Sequence, residues 1–345
     1  MPETTMPLSE LTPPHLSPHS GKDRAATSQT NQTHRQQASW AAPPAYSSTP
    51  LPPPPMEPPG LVVHGAVAPF STALRSLVNN PLYSDVRFVV GQERQEVFAH
   101  RCLLACRCNF FQRLLGSEMG PGVPSPVVLS TVPAEAFLAV LEFLYTNSAK
   151  LHHSVLEVLT AAVEYGLEEL RELCLEFVVK VLDVELVCEA LQVAVTFGLG
   201  SLQERCVAFI EAHSQEALRT RGFLELSAPA LLPLLRSDKL CVDEAELVLA
   251  ARSWARVGAA VLERPVAEVA APVVRELRLA LLAPAELSAL EEQNRREPLI
   301  PVEQIVEAWK CHALRRGDAA RGALCRRRRG TLPREHHRFL DPPFK

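Results

Sequence analysis

Asp85-Val86-Arg87-Phe88-Val89-Val90-Gly91, joined through Gln92-Glu93-Arg94 to Gln95-Glu96-Val97-Phe98-Ala99-His100, is the stretch that decides how this chain folds. The first run alternates apolar and polar residues, the period of a strand, and turns over at Gly91; the second reads as a strand that runs into a helix. That helix, Arg101 to Cys106, is rich in Leu and Cys, and another follows from Asn109 to Leu115. Past a Gly/Pro-rich gap, Gly120 to Pro126, come a short strand, Val127-Val128-Leu129, and a helix opened by Pro133. Phe137, Val140, Leu141 and Leu144 share one face of that helix, and proline suits a helix start because its missing N–H would have no partner there. The pattern reads as a protein-binding module and carries no sign of an active site.

In this order the pieces resemble the BTB/POZ domains. The resemblance rests on Ser84-Asp85-Val86 opening the first strand and on Phe98-Ala99-His100-Arg101 leading into a helix. It rests equally on Asn109-Phe110-Phe111 at a helix start and Phe143-Leu144-Tyr145-Thr146 closing the next helix. It covers residues 61–180, and the helical region 181–315 resembles the BACK domain that follows in many members. The implied architecture is an α+β BTB/POZ domain, a small sheet with a helical cluster, then an all-α BACK stack, between a disordered Pro-rich extension (1–60) and a basic C-terminal tail (316–345). The implied function is a non-enzymatic adaptor that forms homodimers and recruits a cullin-3 ubiquitin-ligase scaffold.

The resemblance also suggests which residues matter. In BTB domains the first helix, here expected from Phe70 to Asn79, packs on its partner's copy, and a strand ahead of it, here Leu61-Val62-Val63-His64, can be exchanged. Leu74, Leu77 and Val78 are the expected dimer face, with closure of the monomer core as the alternative. Asp85 and His100 fall where family members keep a polar pair inside the fold, for structure or dimerisation. The expected cullin face is Leu115, Met119 and Tyr145, although Tyr145 also fits a place beneath the helix. Ligase-associated members carry an apolar residue, any residue, then Glu in the loop after the third helix; this chain has Met119-Gly120-Pro121. Losing such a charge-assisted contact costs about 2 kcal/mol or more. A non-ligase scaffold, or a nuclear regulatory protein that self-associates through the same domain, therefore stays open beside the adaptor.

Of the 345 residues 47% are hydrophobic but only 6% aromatic, so more than one core is expected, built from Leu, Val and Ala. From Trp309 to Lys345 there are eleven Lys or Arg against three Asp or Glu, a balance of +8 that leaves −12 for the rest of a chain of net charge −4. The densest run is Arg326, Arg327, Arg328 and Arg329. Arginine clusters bind phosphates by bidentate hydrogen bonds and serve as import signals, while a solvated tail without a dedicated partner is the plain alternative. A nucleic-acid partner is disfavoured. Nine cysteines without a framework of spacings point to free thiols in a reducing compartment, and no apolar run reaches bilayer length, so no membrane partner is expected. The expected location is cytoplasmic, with nuclear entry open.

Residues 1–60 hold fourteen of the thirty prolines and few large apolar residues, too little to offset the entropy of ordering. Leu51-Pro52-Pro53-Pro54-Pro55 favours a polyproline II helix, which either docks on a proline-reading domain or spaces passively. Further on, helix pairs are split at Gly166 and Gly198. Ser154 with Glu157, Ser201 with Glu204 and Asp243 with Glu246 match the capping box. Leu167, Leu170, Cys174, Phe177 and Val181 form one expected face, and Ile305 to Arg315 the last helix; the text between Val257 and Pro298 fits several boundaries.

No Gly-rich phosphate loop, nucleophile elbow or His-Glu-x-x-His pattern occurs, so neither catalysis nor a cofactor is expected. Cys102, Cys106 and Cys108 near His100 lack a second ligand pair for zinc and are expected to be buried as small apolar residues. His152-His153 and His336-His337 are expected to be solvated.

Overall fold

The computed structural model describes residues 66–116, 126–314 and 323–339. The expectations for residues 1–60, for Leu51 to Pro55, for Leu61 to His64 and for the loop holding Met119 and Pro121 lie outside these residues.

The first helix, α1 (Val67–Arg75), begins and ends earlier than its apolar pattern suggested, and none of its residues is fully buried. It leads to β1 (Val86–Val90) and β2 (Gln95–Ala99), which pair antiparallel with Val86 opposite Ala99 and Val90 opposite Gln95. Gly91 takes φ +70°, a conformation open to glycine at little cost, and turns the chain between them. Two helices, α2 (Arg101–Arg107) and α3 (Asn109–Gly116), precede β3 (Val127–Leu129), which joins β1 in parallel with Phe88 opposite Val127. The order β2-β1-β3 puts β1 in the centre. Only Arg87 of this strand is exposed, so alternation gives way to burial on both faces.

Pro133 stands in extended conformation ahead of α4 (Ala134–Thr146). The expected face of that helix is buried: Phe137, Val140 and Leu141 are fully enclosed. Phe88, Phe111 and Phe137 meet with ring centroids 5.1 to 6.2 Å apart, and Tyr165 stacks on Phe110 at 4.6 Å. These rings fill the space between the sheet and α5 (Val155–Tyr165), which Gly166 in left-handed conformation separates from α6 (Glu168–Val181).

Then comes the helical stack: α7 (Leu186–Thr196), α8 (Gly200–Ala212), α9 (Ser214–Ala217), α10 (Arg221–Glu225), α11 (Ala228–Arg236) and α12 (Glu244–Leu262). It ends with α13 (Val266–Val274), α14 (Pro284–Arg296) and α15 (Val302–Leu314). The pairs α7/α8 and α12/α13 pack side by side. One apolar core runs without a break from Val86 in the sheet to Ala308 in α15.

Local expectations fared unevenly. Asp243 does cap α12, accepting from the Ala245 N–H at 3.4 Å. Ser154 has φ −81° and ψ 18° and makes no cap bond, while α8 starts at Gly200 and carries Ser201 into its first turn, so neither serine closes a capping box. On α6 the covered residue near the end is Val178, while Val181, the last residue of the helix, is exposed. Cys102 and Cys106 are exposed, not buried; only Cys108 of that cluster is enclosed.

The largest correction concerns the basic end. Residues 323–339 do not float free but lie across α11, α12 and the 3-10 turn Leu279–Leu281, with the Gly330 N–H donating to Leu240 O at 2.9 Å and Arg329 N–H to Asp238 O at 2.8 Å. A side chain at Gly330 would run into the backbone of Cys241 and Val242. His337 is buried and its Nε2 pairs with Leu281 O at 2.9 Å; His336 is half-buried against Ala280 O, so neither histidine is solvated.

Candidate functional site

The apolar stripe of α1 starts from its spacing: Val67, Phe70 and Leu74 follow at three and four residues and so fall on one face. Its C-terminal end is covered. Leu74, Leu77 and Val78 are half-buried against the main core, and Arg75 ties this end to α4 through Glu142 at 2.9 Å. Its N-terminal end is open: Val67 is 78% and Phe70 66% exposed, and Leu82 and Tyr83 on the way to β1 are 59% and 81% exposed. The expected dimer residues thus anchor the helix, and the open face belongs to side chains that the sequence reading passed over.

Asp85 and His100 do not form a pair. Asp85 is exposed, and its carboxylate accepts the Arg101 N–H at 2.6 Å, capping the start of α2 where free N–H groups and the helix dipole favour a negative charge. His100 is buried and turns to Tyr145: its backbone N–H donates to the phenol oxygen at 2.9 Å, and its Nδ1 shares a second hydrogen bond with that oxygen at 2.9 Å. Burial pushes the Tyr145 pKa up to about 12, so the phenol stays neutral. Tyr145 and Leu115 are 4% and 3% exposed and cannot meet a partner without unpacking. This corrects their expected place on a cullin face, and Met119 lies outside the described residues.

A groove of about 340 Å³ opens between the sheet domain and the helical stack, between α5 on one side and α7 and α10 on the other. Leu156, Ala161, Val193 and Leu226 floor it, and Glu157, Glu164, Glu189 and Glu225 stand exposed around it. Gly222 lets α10 approach α7, since a Cβ there would come within 3.1 Å of Cys188 Cβ. No local motif marks this groove, because its residues come from four separate stretches of chain.

The four arginines of the basic run part ways. Arg326, Arg327 and Arg329 face outward, and Arg326 pairs with Asp238 at 2.9 Å. Arg328 points inward, fully buried, to an equally buried Glu244 at 2.8 Å, and gives further hydrogen bonds to Leu235 O and Ser237 O, both at 2.6 Å. Nearby Arg334 bridges Asp243 at 2.7 Å and Glu286 at 2.8 Å. Burial raises the Asp243 pKa, but Arg334 outweighs it and the net direction is down. Among the described residues no group of three or more His, Cys, Asp or Glu is placed to hold a metal ion, and no helix is long and apolar enough to cross a membrane.

The chain matches the family model of the BTB/POZ domain over residues 74–182 and that of the BACK domain (BTB And C-terminal Kelch) over 187–292. It is 96% identical to BTB/POZ domain-containing protein 19 of Bos taurus over 291 residues, which cover 84% of this chain and 100% of that protein. The Homo sapiens protein of the same name is 92% identical over the same length. BTB/POZ domain-containing protein 9 of Rattus norvegicus is 32% identical over 210 residues, 59% of this chain and 33% of that protein. A central strand between an antiparallel and a parallel neighbour, its helical cover, the helix pairs behind it and these matches agree: the chain belongs to the BTB/POZ family, in its BTB–BACK branch of protein-interaction adaptors.

Proposed function

We propose that the chain is a non-enzymatic homodimeric adaptor that pairs through α1 and presents a cullin-3 scaffold from its BTB/POZ domain. The observation that carries the reading is the half-covered stripe of α1: Leu74 holds the helix down while Val67 and Phe70 project into solvent. Large apolar side chains held on a packed helix mark a surface for a partner. A second copy of the same helix supplies a self-complementary one, as a two-fold interface requires. The cullin step draws its support from the family, whose BTB–BACK members are often linked to cullin-3 ligases, and the acidic groove beside α5 offers a second place for a basic segment of such a partner.

Light scattering at two concentrations tests the dimer, which Phe70→Asp is expected to split and which a monomer throughout would remove. A pull-down of cullin-3 with the wild-type chain beside Met119→Asp tests the scaffold step. Binding that the substitution abolishes supports the adaptor. No binding by either chain, with the dimer intact, leaves a self-associating scaffold, the reading that Pro121 in place of the family's glutamate favours.

A further inference from the structure

We propose that Cys311 and Cys325 are a redox-sensitive dithiol that closes to a disulfide and fastens the segment 323–339 to α15. Cys311 lies in the last turn of α15, and Cys325 ends the 3-10 turn Ala323–Cys325. Both are half-buried, and both pack against the enclosed Leu281. Two cysteines from separate elements thus meet over one side chain, an arrangement from which a disulfide can close.

The pair is also chemically asymmetric. The Cys325 thiol donates to Cys311 and so favours its thiolate, drawing the Cys311 pKa down to about 7 against burial and the charge of Glu307, while that of Cys325 moves up. Thiolate is the reactive form, so Cys311 is the attacking sulfur and Cys325 the resolving one. Competing thiols are less apt. Burial holds Cys174 and Cys206 up at about 12 and Cys188 at about 11, and Cys108 is enclosed with its S–H on Tyr165 O. Cys102 and Cys106 are exposed, but Cys106 only bonds a backbone carbonyl of its own helix.

The oxidant is a small-molecule disulfide such as glutathione disulfide. The Cys311 thiolate attacks one of its sulfurs, the S–S bond breaks, and one glutathione leaves as thiolate, giving a mixed disulfide on Cys311. Cys325 then loses its proton to that departing thiolate or to water and attacks the Cys311 sulfur, expelling the second glutathione. The protein dithiol gives up two electrons and two protons, and one glutathione disulfide becomes two glutathiones. The consequence lies downstream of Cys325: Arg326, Arg328 and Arg334, with their partners Asp238, Glu244 and Asp243, would be held at one end by a covalent bond as well as by charge.

The test equilibrates the reduced full-length chain with glutathione and its disulfide at stepped ratios, then alkylates it and maps its peptides by mass spectrometry. Cys311 and Cys325 are expected to appear joined within one chain at a lower share of glutathione disulfide than modifies Cys102 or Cys106. Tryptic cleavage after Arg326, Arg327 and Arg329 is expected to slow several-fold. Cys325→Ser is expected to trap one glutathione on Cys311, which identifies the attacking sulfur without relying on the variant's stability. Adducts at Cys102 and Cys106 without a joined peptide, or a joined peptide with tryptic rates unchanged, would overturn the proposal.

Discussion

The two ends of the described fold treat solvent in opposite ways. At α1, Val67 and Phe70 remain in water although they are apolar. At the other end, Arg328 is buried although it is charged, with Glu244 at 2.8 Å and backbone carbonyls around its remaining N–H groups. An exposed apolar side chain loses the benefit of burial until a partner arrives; a buried charge is tolerable only because its partners are already in the same chain. One end therefore leaves an apolar face to solvent, and the other is complete in itself. Arg326, two residues from Arg328, shows that residue type does not decide the matter: it pairs with Asp238 at the surface, where water screens the attraction.

The sharpest way to break this contrast is to remove each arginine in turn. Arg328→Ala leaves Glu244 buried and unpaired and is expected to cost about 3–5 kcal/mol, whereas Arg326→Ala should stay below about 1 kcal/mol. Chemical denaturation of both variants checks the pair, and equal losses would erase the distinction. Tyr145→Phe comes next, with an expected loss of about 1–3 kcal/mol because the His100 N–H loses its acceptor inside the core. The same denaturation measurement reads it, and a loss near zero would show that the phenol is dispensable.

Acid should weaken the C-terminal segment before the carboxylates elsewhere. Burial and the neighbouring histidines and Arg334 hold His336 down at about 4, and His312 and His337 are lowered too, first by burial. A histidine lowered in the fold binds fewer protons there than in the unfolded chain. Its stabilisation is thus complete above pH ~6.5 and drains away as pH falls through the folded value. After discounting for solvent the loss is on the order of 1 kcal/mol between pH ~6.5 and ~4. Below that, Glu297 follows, held down to about 2 by hydrogen bonds from Arg256 and then Arg252. Thermal melts across this range check the order, and a flat stability from pH 6.5 to 4 would contradict it. Smallest in stability is Phe70→Asp, expected within about 0.5 kcal/mol of the wild type because the side chain touches water, not core. Its effect belongs in the oligomeric state, and a large drop in melting temperature would mean that α1 is packed more deeply than its exposure shows.

What could be read in the sequence was what is local. The run from Asp85 to Thr146 spelled its strands and helices because each has its own period and stop signal, and β3 needed only three residues between turn formers. The serine-based caps failed for separate reasons: Ser154 stands directly ahead of α5 but outside the extended conformation of a cap, and Gly200 starts α8 one residue before Ser201. The stripe of α1 was visible as a stripe, but how far along it the core extends depends on α4, more than fifty residues away. The same holds for Arg328, whose partner Glu244 is 84 residues distant and next to the residue that the capping pattern did find. A run of like charges looks like a solvated tail unless the carboxylates meant for it can be located.

Asp243, Glu244 and Glu286 are all fitted to arginines that arrive only near the end of the chain. Truncation after Leu314 would preserve every residue of both matched domains and still strand an acidic group in the interior. A premature stop in that short interval should therefore act as a folding defect, read by cellular quality control as a shortage of protein and not as an inactive one.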